Sequence, residues 1–463
     1  MSENYTLLNN TNFAAKEEAT EGTLIADVLT DAIGFLKDGL DIRLGRELVE
    51  NNAITGSLSR REPYVGGYTD VGYTGSVYVK GSGTHLTAPE AGVLYKTVLG
   101  DESDGKASTV KASPAPTTSS ATVEGATLAA ASFLGHILRI QTGVATYEYA
   151  RCTAATFNTP DVAVVWSPPI SVAPTTGYTV DSGVAYQLKS EPSDFISHSA
   201  YFYMDGNKKI SLNGCKGTAE IVFEFGKPAI ATFNMNALGY ATAYTAIGYT
   251  PAIDLTTNPP LCLGIVLNTY YAATVATYSA GVPSVILSSE AYLEADSNDS
   301  IIADIGAGVY ETKDVVSWTY STQTAVISGA YGGDPATNAA ILKRTKECKG
   351  KLTLKIEGDM VKDDCMQASY GAAGTILSTR NISIDAEEKF KSFYDLGARD
   401  NSVAREILII LGDTSGNIIA VNITNAVPES TAFGMDELMT NTTTFRAIGD
   451  SVSGDDELFI TFL

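Results

Sequence analysis

The chain reads as a mainly β protein: two tandem β-sandwich or barrel units, each with a flanking helix, plus a small inserted β domain. Three observations predict this. Short alternating apolar and polar runs, bounded by Gly, Asn and Asp, recur along the whole length. Strong helix signals are few. The two halves repeat one order of elements. The 463 residues suffice for roughly two to four domains, each able to bury a core.

The elements follow in order. Residues 1–21 read as an N-terminal arm. A first unit covers 22–100 and 195–250. Within it, Thr87-Ala88-Pro89-Glu90 is a capping box with proline in the first turn. The helix it opens runs to Leu99 and stops at Gly100, a suitable C′ residue. An inserted stretch, 101–194, begins with a Ser/Thr/Ala/Pro-rich linker (107–122). It continues as short strands at 144–151 and 162–166 and predicts a small β domain on the outer surface. Residues 195–204 alternate, with Ile196, His198, Ala200, Phe202 and Met204 on one face. Asp205-Gly206-Asn207 turns the chain into a return strand at 208–212. In 219–225, Ile221, Phe223 and Phe225 point one way, and Glu220 and Glu224 point the other. The second unit covers 251–463, with an insertion at 263–313. Helices are expected over 359–370, before Gly371, and from Asp385-Ala386-Glu387-Glu388 through about Leu396. The chain ends as a strand, 458–463.

The internal repeat rests on order and spacing. Ala53-Ile54-Thr55-Gly56 leads through a turn-rich segment to Gly75, a strand at 76–80 and the helix from Thr87. Val326-Ile327-Ser328-Gly329 leads through a segment of similar length to Gly350, a strand at 351–356 and the helix near Asp359. Downstream, the 205–207 turn matches 413–417, and Thr232-Phe233 matches Thr444-Phe445.

Composition excludes several functions. There are 31 Lys+Arg against 53 Asp+Glu, a net charge of −22. A non-specific nucleic-acid binder needs the opposite sign to displace phosphate counterions. The 44% apolar content is too high for a disordered chain. Five widely spaced cysteines do not make a disulfide scaffold and suggest free thiols of a reducing compartment. The first residues lack the basic and apolar regions of a secretory leader. No run approaches the ~18 apolar residues of a membrane helix. The nearest, around 126–140, is broken by Thr127, Ser132, His136 and Arg139.

Chemistry-bearing motifs are sparse. His85, His136 and His198 lack metal-ligand spacing, and His198 in an alternating strand reads as packed. Cys348 and Cys365 have no CxxC partner for a four-ligand zinc site. No phosphate-binding loop and no nucleophile elbow occurs. Asp363-Asp364 and Asp455-Asp456-Glu457 read as solvated faces or turns. Asp296-Ser297-Asn298-Asp299 lacks the glycine and distal glutamate of a calcium loop. No catalytic residue, cofactor or metal is therefore expected, and the chain does not read as an enzyme.

Several stretches together resemble the tail tube (major tail) proteins of long-tailed, siphovirus-type bacteriophages. Glu17-Glu18-Ala19-Thr20-Glu21-Gly22-Thr23 resembles that family's opening, and Ile54-Thr55-Gly56 the start of its long loop. Gly75-Ser76-Val77-Tyr78-Val79, Gly92-Val93-Leu94-Tyr95 and Leu99-Gly100 resemble its strand and helix. Leu212-Asn213-Gly214-Cys215-Lys216-Gly217, the turn at Gly226 and 233–239 follow in the same order. The two insertions have no fixed counterpart in that family. The resemblance implies tail-tube-type units in a virion structural protein, assembled in the host cytoplasm and stacked in rings around a lumen that DNA crosses transiently. With two units per chain, three copies would close a pseudo-sixfold ring. Expected partners are further copies of the chain and the tape measure, terminator and distal tail proteins, with no membrane.

On that reading, Glu220 and Glu224 are candidates for an acidic lumen wall, which repels phosphates. The segments 57–74 and 330–349 concentrate scarce positive charge. They supply the inter-ring contact candidates Arg60, Arg61, Glu62, Tyr64, Lys343, Arg344 and Lys346. Alternative readings are another tail ring component (terminator or baseplate) and a surface adhesin that binds glycans through the inserted domain.

Overall fold

The computed structural model describes residues 11–49, 64–124, 133–158, 160–191, 195–204, 207–245, 247–248, 250–262, 266–287, 299–306, 309–335, 338–364, 372–389, 400, 402–435, 439–449 and 455–463. The protein is mainly β. Its first half holds β1 (Thr11–Glu17), β2 (Ala32–Ile33), β3 (Asp41–Val49), β4 (Tyr64–Tyr78), helix α1 (Gly92–Leu99) and β5 (Gly100–Ser103). Then come β6 (Lys106–Thr109), β7 (Ser120–Glu124), β8 (Ile137–Gly143), β9 (Thr146–Asn158), β10 (Asp161–Ser167) and β11 (Thr179–Ser182). After these follow β12 (Val184–Leu188), β13 (His198–Met204), β14 (Lys208–Glu224), β15 (Ile230–Asn236) and β16 (Gly239–Ala243). The second half opens with β17 (Val266–Tyr278), β18 (Ser284–Leu287), β19 (Ser300–Asp304), β20 (Tyr310–Thr319), β21 (Thr324–Ile327) and the long β22 (Ala339–Asp364). It closes with β23 (Ala372–Lys389), β24 (Arg405–Leu411), β25 (Ile419–Met435), β26 (Met439–Ile448) and β27 (Leu458–Phe462).

Two sets of strands pair in the same order. In the first set β3 pairs β4, β4 pairs β15, β15 pairs β14, and β14 pairs both β13 and β16. In the second, β22 pairs β23, β23 pairs β26, β26 pairs β25, and β25 pairs both β24 and β27. Even the flanking strand corresponds: β1 adds to β13, and β17 adds to β24. The matched pair Phe233 and Phe445 marks the common register. Phe233 lies opposite Gly75 and Ala219, and Phe445 lies opposite Ile384 and Pro428. Both rings are fully buried.

The two sets thus share one pairing order, and it does not follow the alignment expected from the sequence. The β22–β23 hairpin corresponds to β3–β4, not to a loop, strand and helix running from Val326. Residues 324–327 belong instead to a barrel strand. The helix expected over 359–370 is strand through Asp364, and the one expected from Asp385 is strand through Lys389; their remainders lie outside the described residues. Residues 359–364 pair with β23 and residues 385–389 with β26, and tertiary pairing overrides weak capping signals. In the first half, α1 starts at Gly92 and not at Thr87, and ends at Gly100 in the left-handed conformation, φ 105°. Glu90 does not cap it; its carboxylate accepts from the backbone N–H of Gly34 and of Asp254.

Both insertions are six-stranded closed barrels of one topology. In the first, the ring order is β6, β11, β8, β9, β10, β7. A bridge between Val110 and Val123 closes it. In the second, the order is β17, β22, β19, β20, β21, β18, closed by β18 on β17. Numbering the strands of each barrel from one to six, both rings read 1-6-3-4-5-2. The first barrel encloses Trp166, Phe133 and Ile140, the second Tyr278, Leu287 and Leu342. Their limits differ from expectation. The stretch 107–122 supplies barrel strands β6 and β7 and is not a linker. β5 and β12 pair outside the barrel, and β12 continues onto the C-terminal strand β27. The second barrel extends through β22, well beyond residue 313.

The segment expected as an N-terminal arm is, from Thr11, a strand of the main sheet. Just after it, Glu18 is 5% exposed and accepts from the hydroxyls of Ser197 and Ser199, each at 2.7 Å, and from the N–H of Gly22 and Gly214. A buried carboxylate is tolerated when its lone pairs are satisfied in this way. Glu18→Ala orphans those donors and should cost at least about 3 kcal/mol of unfolding free energy, read by urea denaturation.

His198 is packed. Thr97 donates its hydroxyl to the Val93 carbonyl, so the His198 Nδ1–H donates to Thr97, and Nε2 accepts from Tyr73 Oη at 2.7 Å. Burial pushes its pKa down to about 3, and that of buried His136 down to about 4. Both histidines gain protons only on unfolding. Their contribution to stability should be constant above about pH 7 and decline as the pH falls from about 6.5 towards the folded-state values. His198→Gln should remove one proton from that slope, measured by unfolding across the range.

Candidate functional site

The central strands run side by side as β3, β4, β15, β14, β22, β23, β26 and β25. The two repeats meet where the C-terminal part of β14 pairs β22, from Ala219↔Ile356 to Glu224↔Lys351. Alternation assigns one face of this sheet to the core. Ile221, Phe223, Phe233, Leu352, Leu354, Ile356, Ile384 and Phe445 form a continuous apolar layer. The alternate residues make the other face.

That second face is polar and mixed in sign. Glu220 and Glu224 do point away from the core, as expected. Across the strand gap, however, stand Lys355 and Lys351, so these glutamates do not form an unbroken acidic wall. The Lys355 ammonium lies 2.8 Å from Asp385, which also accepts from the Thr444 hydroxyl at 2.7 Å. Partial burial raises the Asp385 pKa, but those two donors outweigh it and hold the carboxyl below its usual range. The same contact raises Lys355. Ser76 and Thr232 share a hydroxyl hydrogen bond of 2.9 Å, and Arg43 donates to Asn234 and Asn236. Among the described residues, serine, threonine, asparagine and charged side chains thus recur along this face, interrupted by Val222, Ile230 and Tyr78.

The positive candidates separate. Arg60, Arg61 and Glu62 lie outside the described residues. Tyr64 opens β4, opposite Val49. Lys343, Arg344 and Lys346 are not on a projecting loop. They sit in β22, opposite Tyr270, Thr269 and Leu267 of β17. The lysine and arginine run looked loop-like because it lacks apolar alternation, yet Lys343 lies between β17 and β19, and Arg344 and Lys346 pair with β17.

Sequence reasoning missed the two ends of the sheet. Among the described residues β3 pairs only β4, and the 428–435 half of β25 pairs only β26. Register shows what these edges are. Asp41 takes the place of Lys355, Ile42 that of Ile356 and Leu40 that of Leu354. Ser430 takes the place of Glu220, Thr431 that of Ile221 and Phe433 that of Phe223. At the internal joint Phe223, Leu354 and Ile356 are at most 3% exposed, whereas Phe433 is 36% exposed and Leu40 and Ile42 are only partly buried. The free edges are the two halves of the internal joint, left open.

Other sites are structural. Lys80 reaches Glu90 and Asp254 beside a cavity of about 290 Å³ under residues 253–259. Arg380 binds Asp455 at 3.3 Å and the Lys189 carbonyl at 2.7 Å. Cys152, Cys215 and Cys262 are buried free thiols. No group of three or more His, Cys, Asp or Glu that could hold a metal occurs among the described residues. No helix among them is long and apolar enough to cross a membrane. The chain matches no protein-family model and no curated protein.

Glu220→Lys would set like charges opposite each other at the internal joint. It should cost about 1 kcal/mol in low salt and less in high salt, read as a shift in the urea midpoint.

Proposed function

We propose that this chain is a structural subunit of a phage tail tube, three copies closing a pseudo-sixfold ring that stacks around a DNA-conducting channel. One observation supports the reading: two sets of strands with one pairing order are joined edge to edge within the chain, and among the described residues the matching edges at the far ends pair with no further strand. An exposed edge offers unpaired N–H and C=O groups to another chain. Repeating the internal joint between chains satisfies both edges by a head-to-tail contact, and such contacts close into rings when the rotation permits.

The internal joint also supplies the template for a second contact. The β22–β23 hairpin of the second module lies on the first module. Glu21 accepts from Lys216 at 2.7 Å and from the Thr375 N–H at 2.7 Å, while Lys216 donates to the Thr375 carbonyl. In the ring, the β3–β4 hairpin would lie on the second module of the next copy in the same way. The polar face lines the channel on this reading. Its charges are largely paired, and with the chain at −22 it offers phosphates no net attraction. The barrels then decorate the module sheet, and the role is assembly and conduction, not catalysis. The tape measure, terminator and distal tail proteins are the partners, and the virion tail is the location.

Sedimentation and negative-stain microscopy of the purified chain test this. Trimeric rings with six-lobed symmetry, stacking into hollow filaments, are expected; a chain that stays monomeric at every concentration overturns the proposal, and rings that never stack point to a terminator. Ser430→Glu with Ala432→Glu faces carboxylates towards Asp41 across the joint and should weaken ring formation at least about tenfold while the monomer stays folded. Reversing Arg60 and Arg61 to Glu should weaken stacking and leave single rings intact.

A further inference from the structure

Three parts of the chain meet at one buried carboxylate. Asp181 lies in β11 of the first barrel, opposite Arg139 of β8, and is 3% exposed. The Arg139 guanidinium stands 3.9 Å from it, donates to the Ser415 hydroxyl of the second module at 3.0 Å and lies over the Tyr147 ring. From the other side comes the loop between β4 and α1 of the first module. Its His85 brings Nε2 to 3.5 Å from Asp181 Oδ2, with the imidazole still 32% exposed to water. Asp181 Oδ1, Arg139 Nε and His85 Nε2 are buried atoms without a hydrogen-bond partner among the described residues. A buried carboxylate is costly unless cations and donors answer it. One arginine at 3.9 Å, shared with a serine and a ring, answers Asp181 only in part. Burial raises the Asp181 pKa, and His85, Arg139 and Thr179 bring it back only partly.

We propose that His85 is a proton-operated clasp between the first barrel and the first module. Imidazoles gain their proton between about pH 5 and 8. A protonated His85 supplies the second cation that Asp181 lacks, and a neutral one leaves the carboxylate to the distant arginine. The loop that carries His85 is bonded to the second module as well: the Gly83 N–H donates to the Gly416 carbonyl at 3.0 Å, and the Gly81 N–H to Asn417 Oδ1 at 2.9 Å. The clasp thus sets how firmly the barrel and the two modules close on one another. Its sign is opposite to that of the buried histidines. The His85 contact is strongest below the imidazole range and is released as the pH rises through it, whereas His136 and His198 weaken the whole fold towards acid. Segments 104–106, 254–258 and 413–417 also pack against this loop. Their described charges are Asp104 and Lys106, which pair at 3.4 Å, Asp254, 3.5 Å from Lys80, and Asp413, which accepts from the Thr414 hydroxyl at 3.1 Å. The clasp operates whether or not copies of the chain form rings.

Hydrogen exchange of the full chain, read by mass spectrometry at about pH 5.5 and about pH 8 and corrected for intrinsic exchange rates, tests the clasp. Relative to the β10 peptide 161–167, the peptides 81–87 and 179–182 should be at least about threefold better protected at the lower pH. His85→Gln should abolish that difference. His85→Lys, a cation at both values, should keep the protection at both. Asp181→Asn should remove the response with the histidine still in place. If the parent protects these peptides equally at the two pH values, or if His85→Gln or Asp181→Asn retains the parent's response, the clasp is wrong.

Discussion

The pairing of β14 with β22 is the contact on which the architecture depends. A sheet strand presents hydrogen-bonding groups on both sides, and a chain with two copies of one sheet must dispose of four terminal edges. Joining copy one to copy two disposes of two. The apolar layer below then runs unbroken from Ile221 and Phe223 into Leu352 and Leu354, so the two repeats share one core and cannot fold as beads on a string. The other two edges, β3 and the end of β25, remain, and they are complementary because they are the same two surfaces.

The barrels are subordinate to that sheet, yet they repeat as faithfully. Their common ring order, 1-6-3-4-5-2, is reached from different insertion points. The first barrel leaves between α1 and β13 on the β5–β12 stalk. The second grows between the strands that correspond to β1 and β3. The first barrel also lies against the second module: Ile137 packs with Leu408 and Ala420, Arg151 pairs with Glu406 at 3.2 Å, and Arg139 donates to Ser415. A barrel encoded in one repeat and seated on the other ties the two halves together a second time.

Where expectation and structure part, the reasons are local. Asp359 to Asp364 and Asp385 to Lys389 carry acidic residues and weak caps that suit a helix as well as an edge-rich strand, and only their partners decide. The basic run Lys343 to Lys346 resembled a surface loop because its partner strand β17, and β19 beside Lys343, are distant in sequence. The Ser/Thr-rich stretch 107–122 resembled a linker because barrel strands of four or five residues have too few positions to show a period. The open edges carried no signal at all: Leu40, Ile42 and Phe433 are ordinary β residues, and their meaning comes only from their internal counterparts.

The sequence by itself determined the β character, the duplication, the existence of the inserted domain and the outward face of Glu220 and Glu224, because alternation, glycine spacing and matched hairpins are short-range properties. It also determined that His198 is packed, since it falls on the apolar side of an alternating strand. The tertiary structure decided the register of the repeat, the second barrel, the lysines that answer Glu220 and Glu224, and the surfaces left open. Those depend on which strands meet across hundreds of residues, and strand pairing is a non-local choice that backbone hydrogen bonding permits almost anywhere and side-chain packing settles.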